Sequence, residues 1–306
     1  LIHATGDITQ TAELRARNLG LFSGGSITLP NDANRITTLA ALASADVVVQ
    51  SSVALTTSTQ AANRIFVPST SPVMGVSTNN ADITLRAMSL ALTQPVNAGS
   101  ANVRLVSFDG GMSQTGVITA DALGINTTGP AILLGDNVVN VFAGSATGLG
   151  LIDFASTNAL TVGSLSALNA PLNGLFTATT GVLTAGGDAL LVSNAGITVA
   201  SPINGAGGGV RLQAGGSVGQ SATITSAGLG VRTTSGTITL DLANAVDTFV
   251  GAGLSGGVIS FSDINGFDIG TVASRTPFAE LSGLTTTGAV LLNAQGAAGG
   301  TQSAPV

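Results

Sequence analysis

GDITQTAELRARNLGLFSGGSITLP (6–30), GMSQTGVITADALGINTTGPAILLG (111–135) and GSVGQSATITSAGLGVRTTSGTITLD (216–241) decide the fold, because they are versions of one another that begin 105 residues apart each time. A second trio follows in the same order: ANRITTLAALASADVVVQSSVALTT (33–57), DNVVNVFAGSATGLGLIDFASTNALTVGSL (136–165) and ANAVDTFVGAGLSGGVISFSDINGFDIGTV (243–272). A third element also recurs, as NAGSANVRLVSFDGG (97–111) and NGAGGGVRLQAGG (204–216). The chain reads as nearly three copies of one block, approximately 6–110, 111–215 and 216–306, within a single domain spanning 1–306.

Inside each block, short runs alternate apolar and polar residues, with Gly, Asn, Ser or Asp between them. Ile27 and Leu29 flank Thr28, Val103 and Leu105 flank Arg104, Ile197 and Val199 flank Thr198, and Val210 and Leu212 flank Arg211. Period two over such lengths marks half-buried strands. The linking Gly and Asn suit corners, where φ is often positive. Pro30, Pro68, Pro95, Pro171 and Pro202 fall between runs, where they interrupt no ladder. Short strands, the absence of linkers between copies, and outward Thr, Ser, Asn and Gln favour a solenoid over a sandwich or propeller. The expected fold is all-β, a right-handed parallel β-helix with coils of roughly 20–25 residues, whose inward Val, Ile, Leu and Ala stack coil upon coil.

Composition removes other classes. Among 306 residues only 8% are charged, with 13 Asp, 2 Glu, 9 Arg and no Lys. That cannot furnish the exposed faces of an α-rich protein. A net charge of −6 argues against nucleic acid as a partner. High apolarity with little charge is the reverse of a disordered chain. The mean hydropathy is +0.51, yet no run approaches 18 apolar residues, so no membrane-spanning helix is expected. Without Trp or Tyr, the aromatic girdles of a membrane barrel are also unexpected. There is no Cys, and the opening LIHATGDITQ has no signal-peptide pattern, so it reads as a piece of a longer chain.

The stretches 136–165, GVLTAGGDALLVSNAGITVASPINGAGGGVRLQAGGSVGQ (181–220) and GLTTTGAVLLNAQGAAGG (283–300) resemble the repeat region of filamentous-haemagglutinin-type large exoproteins. The likeness lies in N-x-V-x-x-x-A-G, A-L-T-V-G and L-x-A-G-G runs and covers nearly the whole chain. Autotransporter passengers share this texture. The resemblance implies a secreted bacterial surface fibre, exported with an outer-membrane secretion partner and serving adhesion or carrying an effector. No NPNG-like secretion motif and no toxin-like C-terminus is visible, so the resemblance implies a shaft segment or a shaft-only relative.

Candidate sites are sparse. His3 is the sole histidine and reads as a solvated end residue. Asp263 and Asp268, with Arg275 nearby, are the best carboxylate pair for glycan cleavage. Aligning FSDINGFD (261–268) with FASTNALT (154–161) puts Ser156 opposite Asp263 and Thr161 opposite Asp268, so both acids are expected on a solvated outward face. Asp136, Asp153 and Asp188 read as scattered corner or surface residues. GGD (186–188) and FDGG (108–111) lack the tandem repeats of a calcium roll, and GAGGG (205–209) cannot be a P-loop without Lys. Arg104 and Arg211 hold equivalent outward positions, suited to blocking sheet-edge association or contacting an acidic glycan. Phe142, Phe154, Phe249 and Phe261 recur as core or corner fillers. No catalytic, cofactor or metal residues are assigned. The expected role is structural: presentation of a tip and weak multivalent contacts with glycans or proteins outside the cell, with end-to-end self-association through uncapped coils. A polysaccharide-cleaving β-helix enzyme is the alternative.

Overall fold

The structure, a computed structural model, describes residues 1–61, 72–148, 150–172 and 174–295, with the backbone of 301–302. Pro68 and the end of the 283–300 stretch lie outside them. Every regular element among the described residues is a β-strand, and none of these residues is helical. The strands stack as a parallel β-solenoid of about 13 turns. Contacts group the chain into two compact units, Leu1–Val139 with Leu165–Thr179, and Asn140–Ser164 with Thr180–Val306.

In the first unit, one inward spine runs Ile8, Ile27, Val47, Ile83, Val103 and Leu123, each the register partner of the next. In the second, Ile152, Ala189, Val210, Leu229 and Phe249 do the same. These side chains are buried. Most steps are 19–21 residues, which is the coil length. Alternation sends every second side chain inward, and parallel stacking pairs each coil's backbone with the coils on either side. Fully burying a Val, Leu or Ile contributes about 1.5–3 kcal/mol, so the apolar spine and the ladder reinforce one another.

Two steps are long, 36 residues from Val47 to Ile83 and 37 from Ile152 to Ala189, because the chain leaves the coil and returns. A third long step, 33 residues from Gly251 to Leu284, has the same origin, and all three departures share one kind of neck. Gly75 donates its N–H to the Ser58 carbonyl at 2.8 Å, Gly181 to Gly163 at 2.7 Å, and Gly283 to Gly270 at 2.9 Å. The returning glycine carries φ of 67°, 70° or 71°, in the left-handed region. A β-carbon on Gly75 would sit 2.0 Å from the Pro95 carbonyl oxygen, and one on Gly181 1.9 Å from that of Pro202. Only glycine meets both conditions. A short two-stranded pair opens each of these excursions: Thr59–Gln60 with Val73–Met74 and Thr271–Val272 with Leu281–Ser282, both antiparallel, and Ser164–Leu165 with Thr179–Thr180.

A buried amide clasp also occurs three times. Gln10 and Asn34 exchange side-chain hydrogen bonds at 2.8 and 2.9 Å, and Gln220 and Asn244 do so at 2.9 Å in both directions. Gln114 and Asn137 make the same reciprocal pair. Each Asn is fully buried. Its carbonyl also accepts the N–H of Leu14, Ile118 or Ile224, and its amide donates to the carbonyl of Leu29, Leu133 or Leu240. The clasp thereby satisfies backbone groups where the strand turns, groups that would be costly to bury unpaired.

Candidate functional site

The structure keeps Arg104 and Arg211 on the outward faces of their strands but buries both, correcting the exposed reading. Segment 165–179 lies over Arg104, whose Nε donates to the Ser166 carbonyl at 3.2 Å and whose Nη1 meets Asp82 at 2.6 Å. The equivalent excursion at 271–282 lies over Arg211, whose Nε donates to Ala273 at 2.8 Å and whose Nη1 meets Asp188 at 3.0 Å. Glycine in the adjoining coil makes room for each excursion. A β-carbon on Gly124 would be 2.6 Å from Phe176 Cζ, and one on Gly230 2.9 Å from Phe278 Cζ. These arginines fasten excursions to the solenoid.

Asp153 is likewise no surface acid. It is 4% exposed and takes a bidentate pair from Arg275, at 2.6 and 2.7 Å. That hydrogen bonding, against an opposing cost of burial, holds the Arg275 guanidinium above its ordinary value. Asp136 is exposed, and His3 is exposed beside the Phe22 ring.

The structure does not bring Asp263 and Asp268 together on one solvated face. Asp268 is exposed, whereas Asp263 is fully buried and accepts the N–H groups of Val246 and Asn265, both at 2.8 Å. Ser51 does the same work in an equivalent coil, accepting from Ile36 at 3.0 Å and Val53 at 3.4 Å, and Ser156 accepts from Asn158 at 3.2 Å. Asp263 is thus the acidic version of a hydroxyl cap. Asp263→Ser is expected to change stability by less than about 1 kcal/mol, whereas Asp263→Ala, which orphans a buried N–H, should cost about 2 kcal/mol. Thermal melts of both variants check this, and equal losses would contradict it.

Phe142 stacks on Phe154 at 4.3 Å and Phe249 on Phe261 at 4.0 Å, all within the core.

The arrangement best suited to an external ligand is one that sequence reasoning missed. Arg15 and Arg35 are register partners on adjoining coils, and Arg17 follows Arg15 on the same outward face. With Ala16, Val53 and Met88 they line an open cleft of about 530 Å³. Glu13 pairs with Arg15 at 2.9 Å but is not part of the lining. Among the described residues, no ion pair reaches Arg17 or Arg35. The Arg15 side chain is 68% exposed, against 5% for Arg104 and 8% for Arg211. Counting from the clasps, the places of Arg15 and Arg35 are taken by Thr119 and Val138 after the second and by Thr225 and Ala245 after the third. A repeat of one coil length separates Arg15 from Arg35, and that spacing was the signal.

Among the described residues, no three His, Cys, Asp or Glu side chains gather as a metal site, and no helix is long and apolar enough to cross a membrane. Comparison with protein-family models, with curated proteins and with solved structures gave no match.

Proposed function

We propose that the chain is a shaft segment of a secreted bacterial surface fibre of the filamentous-haemagglutinin type, with right-handed coils, exported through an outer-membrane partner. Its role is presentation and adhesion rather than catalysis. The supporting observation is internal uniformity: one coil, one clasp and one excursion neck are used repeatedly, and the most elaborate side-chain constellations serve the scaffold. In a parallel solenoid each added coil contributes its own stability and a nearest-neighbour interface, so distance from the cell is gained without new architecture. Weak contacts repeated along such a fibre add up through multivalency.

Protease added to intact producing cells should remove the chain, and loss of the secretion partner should leave it inside. Survival of the chain on cells that stay intact would count against the surface location. Incubation with acidic and neutral polysaccharides should release no new reducing ends or unsaturated products. Turnover that persists in Asp263→Ser but disappears in Asp268→Asn would replace the shaft with an enzyme.

A further inference from the structure

We infer that the Arg15–Arg17–Arg35 cleft binds an acidic polysaccharide, seating a carboxylate or sulfate on the guanidinium groups and the apolar face of the sugar on Val53, Ala54 and Met88. This goes beyond the shaft reading by giving the chain one localised site, and its failure would leave that reading standing.

Charge is the first argument. The chain has nine basic residues and a net charge of −6, yet three of the nine line one cleft with no carboxylate in its lining, and the one acid paired to them, Glu13, offsets a single charge. Arg15 and Arg35 lie in register on neighbouring strands. Like charges so placed repel one another, and nothing in the fold requires them, since Thr225 and Ala245 form the same register pair elsewhere. Arg104, Arg211 and Arg275 are mostly enclosed and each hold a carboxylate of the scaffold, whereas Arg15 pairs only with the half-exposed Glu13 and, among the described residues, no ion pair reaches Arg17 or Arg35. Glu13 engages only the Nε of Arg15, so an anion between the two coils would meet the remaining guanidinium N–H groups of Arg15 and those of Arg35 in charge-assisted pairs, and the planar guanidinium suits carboxylate and sulfate geometry.

The shape and floor of the cleft narrow the ligand further. A lone inorganic anion would leave Val53, Ala54 and Met88 unused. These side chains make a shallow seat without aromatic rings, open to solvent, and the cleft volume falls within the range of small-ligand sites. A sugar residue with one acidic substituent matches both halves, and the open ends allow a polymer to run on.

The test is binding of the full chain to chondroitin sulfate oligosaccharides, with neutral dextran oligosaccharides, inorganic sulfate, and vesicles of phosphatidylcholine and phosphatidylglycerol as the other arms. Chondroitin sulfate should bind, weakening as salt rises, and dextran should not. Arg15→Gln and Arg35→Gln should each weaken binding about tenfold, with unchanged melting because both side chains are exposed. Arg232→Gln, which removes the same charge elsewhere, should leave binding unaltered. Met88→Ala should weaken the oligosaccharide about threefold through lost apolar contact without affecting sulfate. The inference is overturned if Arg15→Gln and Arg35→Gln weaken binding no more than Arg232→Gln. It is also overturned if sulfate binds as tightly as the oligosaccharide, which would make this an anion site only, or if the vesicles bind and the oligosaccharide does not.

Discussion

Replacing Asn244 with leucine should destabilise the protein by about 5 kcal/mol, since it leaves at least three buried polar groups unpaired at about 1–3 kcal/mol each. The side chain accepts from Gln220 and from the N–H of Ile224, and its two amide hydrogens are shared among Gln220 and the carbonyls of Leu240, Leu242 and Ser262. Leucine offers none of these partners, and no solvent reaches the position to replace them. Gln220→Leu should cost less, about 2 kcal/mol, because that side chain is only half-buried. The two losses should not add, because the residues share one network. Denaturant unfolding of the single and double variants measures all three quantities. A loss below about 1 kcal/mol for Asn244→Leu would mean that the clasp is incidental to the fold.

The second large effect is expected at Gly181. Alanine there adopts φ of 70° at a cost of about 1–2 kcal/mol. Its β-carbon would also lie 1.9 Å from the Pro202 carbonyl oxygen, which accepts the N–H of Val182 at 3.0 Å. Relieving that overlap means parting two coils, so the total should reach about 4 kcal/mol, at the upper end for single substitutions. Gly219→Ala serves as the control, because nothing lies within 4 Å of its added carbon. It should be neutral or stabilising by up to about 1 kcal/mol. Similar melting of both variants would remove the steric argument.

The solenoid was legible because alternation and the recurrence of blocks are properties of the letters themselves. Ile27, Val103 and Val210 announce an inward row without any knowledge of partners. What stayed hidden depends on which coil lies beside which. The outward placement of Arg104 and Arg211 follows from their neighbours, but their burial is decided 62 residues later, at Ser166 and Ala273. Asp263 misled for a related reason. Its alignment with Ser156 identified the right position, but a hydroxyl and a carboxylate that cap the same turn look unrelated as letters. Gln10, Gln114 and Gln220 recur in step with Asn34, Asn137 and Asn244, yet Asn is so common at corners that its place in the core went unread. The Arg15 cleft needed the coil length, which the register fixes near 20 residues.

The excursion necks separate two problems that most folds must solve together. Ser58 and Gly75 stand 17 residues apart, Gly163 and Gly181 stand 18, and Gly270 and Gly283 stand 13, while the hydrogen bond that closes each gap is the same. Changes of length beyond the neck therefore stay local, and the coils that follow keep their phase. Among the described residues the chain is in this sense a chassis with three standard sockets, two of them latched where Ser166 and Phe176, or Ala273, Arg275 and Phe278, fold back on the coils, so that novelty is best tolerated away from those latches.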